Sequence, residues 1–168
     1  MNAATPAPRR EESAEQRWNR FSVLKTGEDY LASLRNRGTR LFLFGELIDE
    51  PADHPIIKPS INALRASYDL AIEDPELATA WSPLIDAQVN RFLHIVESPA
   101  DLVKKNKMQR RMGQITGTCF QRCTGLDTIS VLHSITYEID EKHGTQYHHR
   151  FLDFLGEAQR KNILIAAG

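Results

Sequence analysis

Leu126-Asp-Thr-Ile129-Ser-Val-Leu132-His-Ser-Ile-Thr136-Tyr-Glu-Ile139 is the stretch whose reading decides the fold. Leu126, Ile129, Leu132, Thr136 and Ile139 recur at the spacing of one helix face. Three further stripes keep that period: Ile61, Leu64, Tyr68 and Ala71; Ile85, Val89, Phe92 and Val96; and Tyr147, Phe151, Phe154 and Ala158. Each apolar stripe needs a partner face, so an antiparallel helical assembly is the economical arrangement. The expected fold class is mainly α.

Helix starts lie where this reading requires them. Thr26-Gly-Glu-Asp29 is a variant capping box, with the Thr26 hydroxyl placed to accept an orphan amide and Asp29 to favour the positive helix end. Ser98-Pro99-Ala-Asp101 adds a proline at the first helical position, where its missing N–H costs nothing, and Asp74-Pro75-Glu76 repeats the device. One run departs from the helical period. Arg40-Leu-Phe-Leu-Phe44 reads as a short extended segment near 40–44. Asp49 to Pro59 carries three prolines and is expected to be a non-helical crossover.

The 168 residues fit one domain, long enough to bury a real core. An apolar fraction of 41% and a charged fraction of 26% are ordinary for a globular protein. The net charge of −1 gives no global pull toward nucleic acid or an anionic membrane, and neither is expected as a partner. No apolar run approaches the ~20 residues of a membrane-spanning helix. Met1 to Asn19 lacks the apolar centre of a secretory signal, and Glu11, Glu12 and Glu15 fit a transit peptide badly. It reads as a disordered lead-in to a helical domain over 20–168, and the expected location is cytoplasmic.

Two cysteines are too few for a secreted disulfide scaffold, but they stand together in Cys119-Phe-Gln-Arg-Cys123. On a continuous helix, residues four apart share a face, with Cβ atoms about 5–6 Å apart. Two thiolates so placed can serve neighbouring irons of a cluster, or half of a tetrahedral zinc site. Thr116, Gly117, Thr118, Thr124 and Gly125 are poor helix formers that let the local backbone bend. Arg110, Arg111 and Arg122 stand near enough in sequence to lower thiol pKa values and offset cluster charge. The same spacing suits two small apolar side chains in a helix core, and spacing alone does not choose.

The histidines make a poorer ligand set. His148 and His149 adjoin and point to different helix faces, His133 on an apolar stripe reads as a core histidine, and His54 and His94 are ambiguous. The basic run Lys104, Lys105, Lys107, Arg110 and Arg111 can meet CoA phosphates, although a solvated helix face is the simpler account.

Met108-Gln-Arg-Arg-Met-Gly-Gln114, Cys119-Phe-Gln-Arg-Cys123 and Thr136-Tyr-Glu-Ile-Asp140 together resemble the 4-hydroxybutyryl-CoA dehydratases. Gly27 to Arg35, the Phe44-Gly-Glu46 turn and Asp53 to Asn62 add to the likeness, which runs from about Lys25 to the last residue. The wider family includes the flavin-dependent 4-hydroxyphenylacetate 3-hydroxylases, which lack the cysteine pair. The resemblance implies the helical amino-terminal domain of an acyl-CoA-dehydrogenase-like fold, followed in the family by a middle β domain and a carboxy-terminal helical bundle, assembled as homotetramers. It implies FAD, a [4Fe–4S] cluster held by three cysteines and one histidine, and a radical conversion of 4-hydroxybutyryl-CoA to crotonyl-CoA, with isomerisation of vinylacetyl-CoA. Cys119 and Cys123 match two cluster ligands, and Gln121 and Arg110 match polar residues near the active site. The other ligands, most FAD contacts and later catalytic residues match no position in these 168 residues. The chain is therefore expected to be inactive without those domains, with Ile163, Leu164 and Ile165 packing on the middle one. A flavin hydroxylase domain with incidental cysteines and a non-catalytic interaction module are the competing readings.

Overall fold

The computed structural model describes residues 13–19, 21–35 and 40–165. Helices dominate, and the cap signals act as their chemistry requires. Helix α1 spans Ala14–Asn19, and α2 spans Gly27–Leu34 behind a complete Thr26/Asp29 capping box. A hairpin of β1 (Leu41–Leu43) and β2 (Glu46–Ile48) follows, paired antiparallel with Leu41 opposite Ile48. Residues 49–57 form the proline-rich turns, and α3 then runs Lys58–Glu73 with Pro59 in its first turn. Asp74 caps the short α4 (Pro75–Ala78) by accepting the Leu77 amide at 3.1 Å. Ser98 accepts the Asp101 amide at 3.1 Å to open α5 (Pro99–Thr116), and α6 (Arg122–His143) and α7 (Tyr147–Lys161) complete the chain order.

Two expectations need correction. Ile85, Val89, Phe92 and Val96 do not form a helix stripe. Thr79–Ser82 (β3) and Ala87–Asn90 (β4) pair antiparallel, and a 3-10 turn covers Arg91–Leu93. Pro83 and the left-handed Asp86 (φ 54°) turn the chain back, which a helix cannot accommodate. Val89 and Phe92 are buried all the same, through strand alternation and a tight turn rather than a 3.6-residue period. Ala14–Asn19, in the expected disordered lead-in, is helical and packs Trp18 against Phe154 with ring centres 5.7 Å apart, while Met1 to Glu12 lie outside the described residues.

The main core joins α3, α5, α6 and α7 through Leu70, Met108, Met112, Leu126, Ile129, Phe151 and Leu155. A second cluster gathers Leu24, Tyr30, Ala52, Ile61 and Tyr68, with Tyr30 stacked on Tyr68 at 5.4 Å. Leu164 packs against this second cluster and Ile165 against the main one. Both stay partly exposed, as expected of residues left open to a further domain, after Asn162 turns the chain beyond α7 through a left-handed conformation (φ 51°). The outer half of α6 has no such cover: Val131 is 64% exposed and Tyr137 54%. No helix among the described residues is long and apolar enough to cross a membrane.

Candidate functional site

The cysteine pair lies in the connection between the two longest helices. Gly117 ends α5 in a left-handed conformation (φ 60°), donating its amide to the Gly113 carbonyl at 3.0 Å. The Thr116 hydroxyl ties the corner, within reach of the Met112 carbonyl at 3.0 Å and the Thr118 carbonyl at 2.9 Å, to either of which it can donate. Cys119 follows in irregular backbone. Gln121 then adopts φ 56° and ψ −20°, and α6 starts at Arg122.

The pair therefore does not sit four apart on one helix. Cys119 precedes α6 and Cys123 is its second residue, because Gly117 and Gln121 break the helical path on either side of Cys119. Both thiols are free; Cys119 is exposed, and Cys123 is half-buried against the main core. Gln121, exposed, stands between them in sequence, and its carbonyl accepts the Thr124 hydroxyl at 2.8 Å.

The flanking residues alternate in direction. Phe120 is buried with its ring edge-on to Phe92 at 5.7 Å. Arg122 is 1% exposed, its guanidinium 4.4 Å from the Tyr68 ring centre and 5.3 Å from that of Phe92. Its Nη1 donates to Ser67 Oγ at 2.9 Å and its Nη2 to Asn162 Oδ1 at 3.2 Å. Burial holds its pKa below the ordinary guanidinium value, opposed by Tyr68 and Tyr30. Arg122 is thus a core residue and not one of a surface group of cations around the thiols, as its sequence neighbourhood suggested. Arg110 and Arg111 are exposed on α5, with Arg110 turned away from the face that buries Met108 and Met112. Lys105 instead pairs with Asp127 at 2.5 Å, linking α5 to α6.

Two free thiols four residues apart number at most two ligands, half of what a four-ligand metal site or cluster needs. Among the described residues, no group of three or more His, Cys, Asp and Glu side chains could hold a metal ion.

A separate cleft of about 900 Å³ is lined by Trp81, Gln88, Arg91, His94, Asp101 and Lys104 and includes none of the cysteine segment. His94 Nε2 lies 3.7 Å from Asp101 Oδ2 there, both near the α5 cap. His133 and His148 meet edge-on at 5.0 Å where α6 packs on α7, while His149 is exposed, as their different helix faces require. Burial, reinforced by His148, lowers the His133 pKa from its ordinary 6.5, with Glu97 opposing. A histidine depressed in the native state contributes nothing to the pH dependence while both states are neutral. Below about pH 6.5 the unfolded chain takes up the proton first and native stability falls. Urea midpoints measured from pH 7.5 to 5 should therefore drop, and His133→Gln should flatten that drop; an unchanged slope would place the acid sensitivity elsewhere.

With this geometry in view, the comparisons identify the class. Residues 26–168 match the family model described as 4-hydroxyphenylacetate 3-hydroxylase N terminal, and the chain belongs to that family. Within it, the chain is 46% identical over 146 residues, 85% of its length, to the 4-hydroxybutyryl-CoA dehydratase/vinylacetyl-CoA-Delta-isomerase of Clostridium aminobutyricum. The solved oxygen-tolerant archaeal 4-hydroxybutyryl-CoA dehydratase of N. maritimus superposes with a TM-score of 0.83 at 56% identity over 84% of this chain. The oxygenase component of a 4-nitrophenol 4-monooxygenase/4-nitrocatechol 2-monooxygenase from Rhodococcus opacus is 33% identical over 84 residues, 49% of this chain and 16% of its own. The chain spans 30% of the length of the Clostridium dehydratase and 28% of the archaeal one.

Proposed function

We propose that this chain is the amino-terminal part of a 4-hydroxybutyryl-CoA dehydratase/vinylacetyl-CoA isomerase that works with FAD and a [4Fe–4S] cluster. The observation that carries this reading is the pair of free thiols, exposed Cys119 and half-buried Cys123, at the start of α6 in a chain similar to dehydratases at 46% and 56% identity. When bound, such a cluster supplies a Lewis-acidic iron for a departing hydroxyl, and the flavin supplies an electron acceptor.

The chain's own residues have narrower tasks. Cys119 and Cys123 would hold the cluster as thiolates, each giving up its proton on binding. Gln121, with an amide that both donates and accepts, orients the substrate hydroxyl or thioester beside that corner. Arg110 offers a planar cationic fork to an anionic oxygen of the acyl-CoA. The remaining ligands, the flavin contacts and the homotetrameric assembly belong to the domains that relatives carry beyond the matched region.

The test is a comparison of two anaerobic preparations. The 168 residues alone are expected to retain neither flavin nor iron and sulfide, because two thiolates leave a four-ligand cluster open to water. Co-expressed with a polypeptide covering the rest of a dehydratase, the chain should yield a brown flavoprotein that dehydrates 4-hydroxybutyryl-CoA. A brown, active protein from these residues alone would refute the ligand count. A complex that holds flavin without iron would favour the monooxygenase branch, to which the nitrophenol relative belongs.

A further inference from the structure

We infer that Arg122 is the positioning residue of the cysteine pair: its guanidinium, anchored in the core, fixes the backbone turn that carries Cys119 and Gln121 outward and leads into Cys123. This rests on the reading of the two thiols as cluster ligands.

The first ground is the cost of the arrangement. A guanidinium that is 1% exposed has lost its water, and among the described residues no carboxylate pairs with it. Its Nε has no hydrogen-bond partner. A methionine of similar length would fill the space without desolvating a charge, so packing alone does not account for arginine here. What arginine adds is direction. One arm of its planar fork bonds Ser67 on α3, the other bonds Asn162 at the end of α7, and two aromatic rings hold the plane. These anchors are themselves tethered. Ser67 Oγ donates to the Leu64 carbonyl at 2.6 Å, and Asn162 Nδ2 donates to the Leu24 carbonyl at 2.7 Å.

The second ground is the backbone between the thiols. The Arg122 amide donates to the Phe120 carbonyl at 2.6 Å across Gln121, closing a tight three-residue turn with φ 56° at its centre. A non-glycine residue stays in that region only when its surroundings hold it there. Phe120 and Arg122 do so from either side, and both use Phe92: one stacks edge-on at 5.7 Å, the other sets its cation 5.3 Å from the ring centre. Two inward anchors thus force Cys119 and Gln121 outward.

The experiment uses Arg122→Met and Arg122→Lys in the 168-residue chain, with amide hydrogen exchange and thiol alkylation as readouts. In wild type, the exposed Cys119 should alkylate faster than the half-buried Cys123. In both variants, amides of residues 119–124 should exchange at least tenfold faster while those of β3, β4 and α5 keep their protection, and the two alkylation rates should converge. If Arg122→Met fails to fold, Ser67→Ala, which removes one arm's acceptor, should give a smaller loosening at the same amides. In the complemented complex, the reduced cluster of Arg122→Met should show altered electron paramagnetic resonance g-values at equal iron content, and Arg122→Lys should not restore them. Unchanged exchange and alkylation in a folded Arg122→Met chain would overturn the inference, as would loosening spread evenly over the whole domain. If Cys119→Ala leaves iron content intact, the ligand reading has failed; the exchange result then still decides whether Arg122 positions the turn.

Discussion

Cys119→Ala and Cys123→Ala, each introduced into the complemented enzyme, should remove the cluster and with it at least about a hundredfold of the dehydration rate. The size follows from coordination chemistry. Changing a residue that merely orients a metal ligand commonly costs about 10–100-fold in affinity or activity, and losing the ligand itself costs no less. Stability should respond quite differently. Cys119 is exposed, so its replacement is expected to shift unfolding by no more than about 0.5 kcal/mol. Cys123 touches the main core, and truncation there should cost somewhat more. Iron and sulfide analysis beside a thermal melt separates the two effects. A variant that keeps its iron and its rate while remaining folded would sink the ligand assignment, whichever cysteine it concerns.

Gly125→Ala should be among the most destabilising small substitutions in the chain. Gly125 lies in the first turn of α6, and a Cβ there would fall 1.9 Å from the Ile165 carbonyl oxygen and 2.6 Å from its carbon. Those are backbone atoms, so no side-chain rotation relieves the clash; either α6 shifts or the segment holding Leu164 and Ile165 undocks from the cores. Overpacking of this kind costs up to about 3 kcal/mol, which for a domain of this size lowers the melting temperature by roughly 6–12 °C. Gly113→Ala is the matched control. It lies within α5 with nothing within 4 Å of the added carbon, so the better helix former should stabilise by about 0.5–1 kcal/mol. Differential scanning calorimetry of the two variants should move in opposite directions. A Gly125→Ala protein as stable as wild type would mean that Ile165 does not dock on α6 in solution.

The amino-acid sequence by itself determined the elements whose causes are local. The caps at Thr26, Asp74 and Ser98 act within one turn, and α3, α6 and α7 follow from residues three and four apart, although Leu132, Tyr147 and Phe154 of those stripes are exposed. The extended run near Leu41–Leu43 was legible for the same reason, although its pairing with Glu46–Ile48 was not. The family likeness was likewise readable in the chain, on the segments around Cys119 and Cys123. Where the same local period arose by coincidence, as at Ile85 to Val96, it misled, because strand pairing between Thr79–Ser82 and Ala87–Asn90 decides that segment. Only the tertiary structure decided how the cysteine turn is held. Arginine is ordinarily a surface residue, and nothing beside Arg122 in sequence marks it for the core. Its hydrogen-bond partners, Ser67 and Asn162, lie 55 and 40 residues away. Ile165 likewise meets Gly125 only once α7 has folded back along α6. A helix face is encoded by neighbours in the chain, whereas a buried charge acquires its partners only when distant segments pack.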